Sequence, residues 1–233
     1  MSTVQEQTIL SRLKSRGYWM VSIHPISYQK NLSISQSDLY SIIMNTSVRF
    51  RGWDFPHIDY NNNPIFGMDW VGQDYCRDDE FEVWRFFQSG QFVHFFAIHG
   101  EWRDESTFWP ADSNWSPGAG FYYLSSIYTF LEIFELASRL SRSPAGSAYM
   151  RVSIELHGLS GRRLVEDDFR FSLPKLYLSK QPDWKFDQTY SFVDLTTQSR
   201  DFAAQAAREL FAIFGLDVSI ESLKRIQDTL VRR

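Results

Sequence analysis

An α+β fold is predicted by three observations: an aromatic-rich hairpin near the middle of the chain, a cleanly alternating strand after it, and long apolar-faced helices. The hairpin is DDEFEVWRFFQSGQFVHFFAIHGEW, residues 78–102, in which Trp84, Phe86 and Phe87 answer Phe92, Phe95 and Phe96 across a short Ser-Gly-Gln link. Apolar side chains occupy both parities of both runs, which predicts central strands in a sheet covered on both sides. In YMRVSIELHG, Met150, Val152, Ile154 and Leu156 alternate with Arg151, Ser153, Glu155 and His157, the pattern of a half-exposed strand. Residues 121–142 place Leu124, Ile127, Tyr128, Leu131, Phe134, Leu136 and Leu140 at helical spacing, so this helix is expected to cover the sheet. The expected architecture is a single α+β domain over 1–233, with a mostly antiparallel aromatic-rich sheet covered by helices.

The remaining elements follow in order. Residues 1–47 read as a helix-strand-helix segment: a first helix stopped at Gly17, a strand in YWMVSIH ended by Pro25, and a short helix capped by Ser35 or Ser37. SVRF from 47 returns to extended structure. RGWDFPHIDYNNNP, 51–64, mixes aromatics, two prolines and an Asn run, and reads as a long irregular loop. FGMDWVGQDYC, from 66, is the next strand, and RDESTFWPADSNWSPGAG after Trp102 is a second loop, carrying bulky aromatics. GLSGRR is a turn into a strand in DFRFSLP, and 175–198 is less regular. A helical pair, 198–233, closes the chain: Phe202, Ala206, Leu210 and Ile213 share one face up to Gly215, and Ser219 caps a helix bearing Leu223, Ile226 and Leu230.

Composition narrows the function classes. With 43% hydrophobic residues and 17% aromatic, the 233-residue chain has ample material for a core. The formal charge of −4 is uneven, since residues 61–120 hold ten acidic and three basic side chains. That field argues against a main role in gripping nucleic-acid phosphates, although Arg49, Arg51, Arg162 and Arg163 remain candidates for an anion or nucleic-acid contact. One cysteine, Cys76, allows no intrachain disulfide and no Cys-based zinc cluster, which with the absence of a signal-type or membrane-spanning apolar run predicts a cytoplasmic address.

Phosphate-loop, dinucleotide, GxSxG and HExxH patterns are absent from the sequence. A hard-metal site is the one catalytic alternative: Asp54, His57 and Asp59 on the irregular loop could meet Glu80 and Glu82 at the hairpin start and hold Mg or Mn, as in a nuclease. Solvated loop charges explain the same residues without a metal. On a regular strand His94 and His99 fall on opposite faces, and His94 reads as a buried, hydrogen-bonded core residue. The loop tryptophans Trp102, Trp109 and Trp115 are the candidates for clasping a protein partner.

The strings VRFRGWDFPHID, EVWRFFQSGQFVHFFA and FAAQAARELFAIFG resemble a poorly characterised prokaryotic region found beside Schlafen/AlbA-like nucleic-acid-binding modules, in proteins linked to anti-phage defence. The resemblance runs from about Val48 to the C-terminus and carries no functional residue across. It implies a binding or sensor subunit of an intracellular antiviral defence assembly with a protein partner, the expectation set here beside the metal-dependent hydrolase.

Overall fold

A computed structural model describes residues 9–27, 34–107, 115–166 and 173–231. The strand expected in DFRFSLP lies largely outside them, as does Trp109. Seven strands form one antiparallel sheet in the order β2-β3-β4-β5-β1-β7-β9: β1 (Tyr18–Pro25), β2 (Ile65–Phe66), β3 (Trp70–Arg77), β4 (Glu80–Phe87), β5 (Phe92–Ala97), β7 (Tyr149–His157) and β9 (Asp183–Ser191). A separate parallel pair joins β6 (Gly120–Tyr122) to β8 (Arg163–Val165). The helices are α1 (Gln36–Thr46), α2 (Tyr123–Ser141), α3 (Phe192–Ile213) and α4 (Ile220–Val231). The α+β class, the antiparallel sheet and the C-terminal helical pair agree with the sequence reading. Among the described residues, no helix is long and apolar enough to cross a membrane.

The hairpin β4–β5 closes as its residues demand. Gly90 takes φ +81° in the link, a conformation that costs glycine nothing and L side chains a good deal. The register sets Trp84 opposite His94 and Phe86 opposite Phe92, while β1 lies on the other side of β5 with Val21 opposite His94. Trp19, Val21 and Ile23 of β1, Trp84 and Phe86 of β4, Phe92 and Phe96 of β5, and the inward row of β7 all reach one buried core, against Phe130 and Phe134 of α2. Burying each such side chain is worth about 1.5–3 kcal/mol. β7 keeps its two faces as its alternation requires.

The other face of the sheet departs from the expectation of full cover. Leu13, Phe81 and Trp102 form a small second cluster at one end, where residues 9–16 and the loop after β5 fold back. Beyond it Met20, Val93, Phe95 and Phe87 are only half-buried. On β7 and β9 this face carries cross-strand ion pairs, Arg151 Nε to Asp187 Oδ1 at 2.6 Å and Lys185 Nζ to Glu155 at 2.6 Å. Lys185 and Asp187 place one partner of each pair on the edge strand β9, where charge discourages pairing with another chain.

Three boundaries also differ. SVRF contributes only one bridge, Val48 with Phe55. β9 falls within the stretch read as irregular; its inward apolar residues are Trp184, Phe186 and, after polar Gln188, Tyr190, so the alternation is interrupted. α3 starts at Phe192, capped by Ser191, and a kink at Gln198 (φ −130°, ψ 17°) separates its first turn from the segment expected from 198 onward.

Candidate functional site

A cavity of about 330 Å³ opens where β4 begins and β5 ends, closed by the loop at 51–55, the start of α2 and the short helical turn Arg103–Glu105. Its apolar walls are Trp19, Phe55, Phe96 and Phe121, with Trp53 at the mouth, 45% exposed. Its polar walls are Asp79, Glu80, Glu82, His99, Arg51 and Arg103. Small-molecule sites share this make-up of aromatic walls with a few placed polar groups, at the lower end of the usual range of about 300–1,000 Å³.

Strand parity brings Glu80 and Glu82 here. Both lie on the face of β4 that Trp84 and Phe86 present to the core, one and two steps beyond the point where the core ends. Glu82 is oriented through one oxygen: Oε2 accepts the His57 amide at 3.1 Å and faces His94 Nε2 at 3.0 Å, and Oε1 has no protein donor among the described residues. Burial alone would raise the Glu82 carboxyl, but the His94 hydrogen bond and charge, helped by the His57 amide, outweigh it and hold the group below the usual carboxylate range. Glu80 moves the other way. It is exposed at the rim yet enclosed by the cavity wall, and that enclosure, followed by repulsion from Glu82 and Asp79, raises it.

Arg51 is spoken for. Its Nε donates to Glu132 Oε1 at 3.0 Å, Nη2 donates to Oε2, and Nη1 reaches Ser125 Oγ at 3.3 Å. Glu132 is 0% exposed in the middle of α2, and burial lifts its carboxyl while Arg51 opposes the lift. Arg103, by contrast, has no ion-pair partner among the described residues and lies over the Tyr122 ring at 5.1 Å.

His99 is exposed to the cavity, crowded by neighbouring protein, with its ring edge-on to Tyr122 at 5.1 Å. Enclosure, then the Arg51 and Arg103 cations, pulls the imidazole down from 6.5 to about 4. Between those values the unfolded chain binds a proton that the folded chain does not, so stability falls as pH drops through this window. Cavity water screens the effect, leaving on the order of 1 kcal/mol. His99→Gln is therefore expected to lose less stability than the parent between pH 7 and pH 4.5 in urea titrations; an equal loss would place the acid sensitivity elsewhere.

The structure separates most of the residues singled out from sequence. Asp54 is buried and paired with Arg49, which also contacts the Tyr60 hydroxyl. Asp59 turns on itself, accepting from the Asn61 amide at 2.9 Å and Asn62 Nδ2 at 2.6 Å. The His57 ring lies against Tyr75 at 4.1 Å, and only its amide reaches Glu82. Asp54, His57 and Asp59 are thus engaged in separate local contacts, while Glu80 and Glu82 face the cavity. Among the described residues no group of three or more His, Cys, Asp or Glu side chains is gathered as a metal would require.

Of the anion candidates, Arg162 is 2% exposed and locked to Glu101, and Arg51 is locked to Glu132, so neither presents a guanidinium to a phosphate backbone. Arg163 is exposed and Arg49 largely so. Trp102 is 3% exposed, packed on Phe81 at 4.5 Å under the Arg16 guanidinium at 3.9 Å; such a ring has no face left for a partner, and Trp115 is half-buried. His94 is the buried, hydrogen-bonded residue expected. His99 escapes the parity argument because β5 ends at Ala97. Sequence reasoning passed over Arg103, Trp53 and Glu132. Only Glu132 left a signal, as an acid on a helix apolar nearly all round. No family model, curated protein or solved structure matches the chain.

Proposed function

We propose that this chain is a non-catalytic binding or sensor domain that takes a small polar ligand into the cavity between β4, β5 and α2. One observation carries the reading: aromatic walls surround a few polar groups, of which Glu82 is oriented by hydrogen bonds and Glu82 and His99 each keep one charge state near neutral pH. Near pH 7 Glu82 is ionised and aimed by His94, and His99 is neutral. A general base works best when its pKa lies near the operating pH, whereas a recognition group works best when its charge does not change. A wider role as a subunit of a prokaryotic intracellular defence assembly rests on the resemblance given above.

The test is a thermal-shift panel of small metabolites on the parent and Trp53→Ala. Trp53 is surface-exposed at the mouth, so its removal is expected to change stability by no more than about 0.5 kcal/mol while abolishing the shifts. Identical responses from both proteins across the panel would overturn the reading.

A second reading, hydrolysis by a carboxylate pair, is favoured by one observation: Glu80 is raised and Glu82 lowered although both face one cavity. Turnover of ester, glycoside or nucleic-acid substrates that disappears in Glu82→Gln would establish it in place of the first.

A further inference from the structure

The charges that line the cavity do not cancel. Asp79 and Glu80 have no ion-pair partner among the described residues, and Glu82 offers a free Oε1. Arg103, likewise unpaired, lines the same cavity close enough to His99 to act on its charge, and the His99 ring nitrogens accept and donate no hydrogen bond among the described residues. The Arg51 guanidinium is paired with Glu132. The unpaired groups therefore comprise an excess of carboxylate and a single cation beside aromatic walls. Leaving such groups unpaired costs free energy that a ligand of complementary charge recovers.

We propose, building on the binding reading above, that the ligand is a basic α-amino acid, its cationic side chain on Glu80 and Glu82 and its α-carboxylate on Arg103. Such a ligand carries two cationic groups and one carboxylate, opposite in kind to the three carboxylates and one guanidinium of the cavity, and it reduces the excess of two negative charges to one; its size suits the volume of about 330 Å³. Trp53, over which the Arg51 guanidinium already lies at 5.2 Å, gives the mouth an aromatic surface that a second guanidinium or ammonium can use in the same way. His99, as a neutral ring, supplies a further acceptor or donor without adding repulsion to the cation.

The test is isothermal titration calorimetry of the full chain with L-arginine, L-lysine, agmatine and L-citrulline. Agmatine lacks the carboxylate, and citrulline replaces the guanidinium with a neutral group. A charge-assisted hydrogen bond is worth about 1.5–3 kcal/mol, so each omission is expected to weaken binding by roughly 10- to 100-fold relative to arginine. Arg103→Ala is expected to bring arginine down to the affinity of agmatine, and Glu80→Gln, a rim substitution, to weaken arginine and lysine while sparing citrulline.

Citrulline binding as tightly as arginine, or Arg103→Ala leaving the arginine-to-agmatine ratio unchanged, would overturn the proposal. Failure of arginine and lysine to bind would also overturn it. If other panel compounds still gave shifts lost in Trp53→Ala, the cavity would remain a binding site for a different chemistry. If none did, the binding reading would fall as well.

Discussion

Glu101→Ala is expected to lower folding stability by about 3–5 kcal/mol, the usual cost of leaving one member of a buried ion pair behind. Glu101 is 3% exposed and Arg162 2%. The pair is two-pronged: Arg162 Nη1 donates to Glu101 Oε2 at 2.5 Å and Nη2 to Oε1 at 2.9 Å, while Glu101 Oε1 also accepts the Gly17 amide at 3.2 Å. Arg162 continues to the Gly158 carbonyl at 2.6 Å and the Gly120 carbonyl at 3.0 Å. One guanidinium thus ties the start of β1, the loop after β5, β6 and the turn before β8. A Cβ at Gly17 would lie 2.1 Å from Arg162 Nη2, so glycine stands there because the guanidinium needs the space. Urea unfolding measures the effect. Replacing both partners, as Glu101→Leu with Arg162→Met, is expected to recover only part of the loss, because the two carbonyls stay unpaired. A Glu101→Ala protein within 1 kcal/mol of the parent would mean that water replaces the pair.

What the sequence made legible follows from the range of the interactions involved. The alternation of β7, the aromatic hairpin and the apolar stripe of α2 are local periodicities, and each element forms where its period predicts. Gly17 was legible as a stop, but its reason, an arginine 145 positions away in the chain, was not. The site is harder still. Arg51, Trp53, Glu80, Glu82, His99 and Arg103 come from three separate stretches of the chain, and no spacing rule connects one stretch with another. Glu80 and Glu82 were chosen as ligands for a metal that would recruit Asp54 and Asp59, yet those two are satisfied by Arg49 and by an asparagine turn close in sequence. Local partners won because short loops bring them together at little entropic cost. Trp102 hides its place for a related reason: it follows the last strand of the hairpin like a loop residue, but two arginines and Phe81 fold over it.

Trp84 offers the sharpest test of how the scaffold sets the site. It is 1% exposed at the centre of β4, and Trp84→Ala is expected to cost about 3–5 kcal/mol through the cavity left behind. Trp84→Phe is the more informative change. The phenyl ring keeps much of the packing but cannot donate, and the indole Nε1 donates to the His57 carbonyl at 2.9 Å. That same His57 donates its amide to Glu82 Oε2. A core tryptophan therefore holds the carbonyl of His57 in the 51–64 loop, and the amide on the other side of the same residue, together with His94, fixes the carboxylate facing the cavity. Trp84→Phe is expected to lose about 1–3 kcal/mol of stability, the cost of an unpaired buried carbonyl, and to weaken cavity binding even at temperatures where the variant is fully folded. His57 resonances in NMR spectra would shift with it, reporting the released peptide. If Trp84→Phe instead bound arginine and every panel compound like the parent, the loop would hold its place without the indole, and Glu82 would owe its orientation to His94 alone.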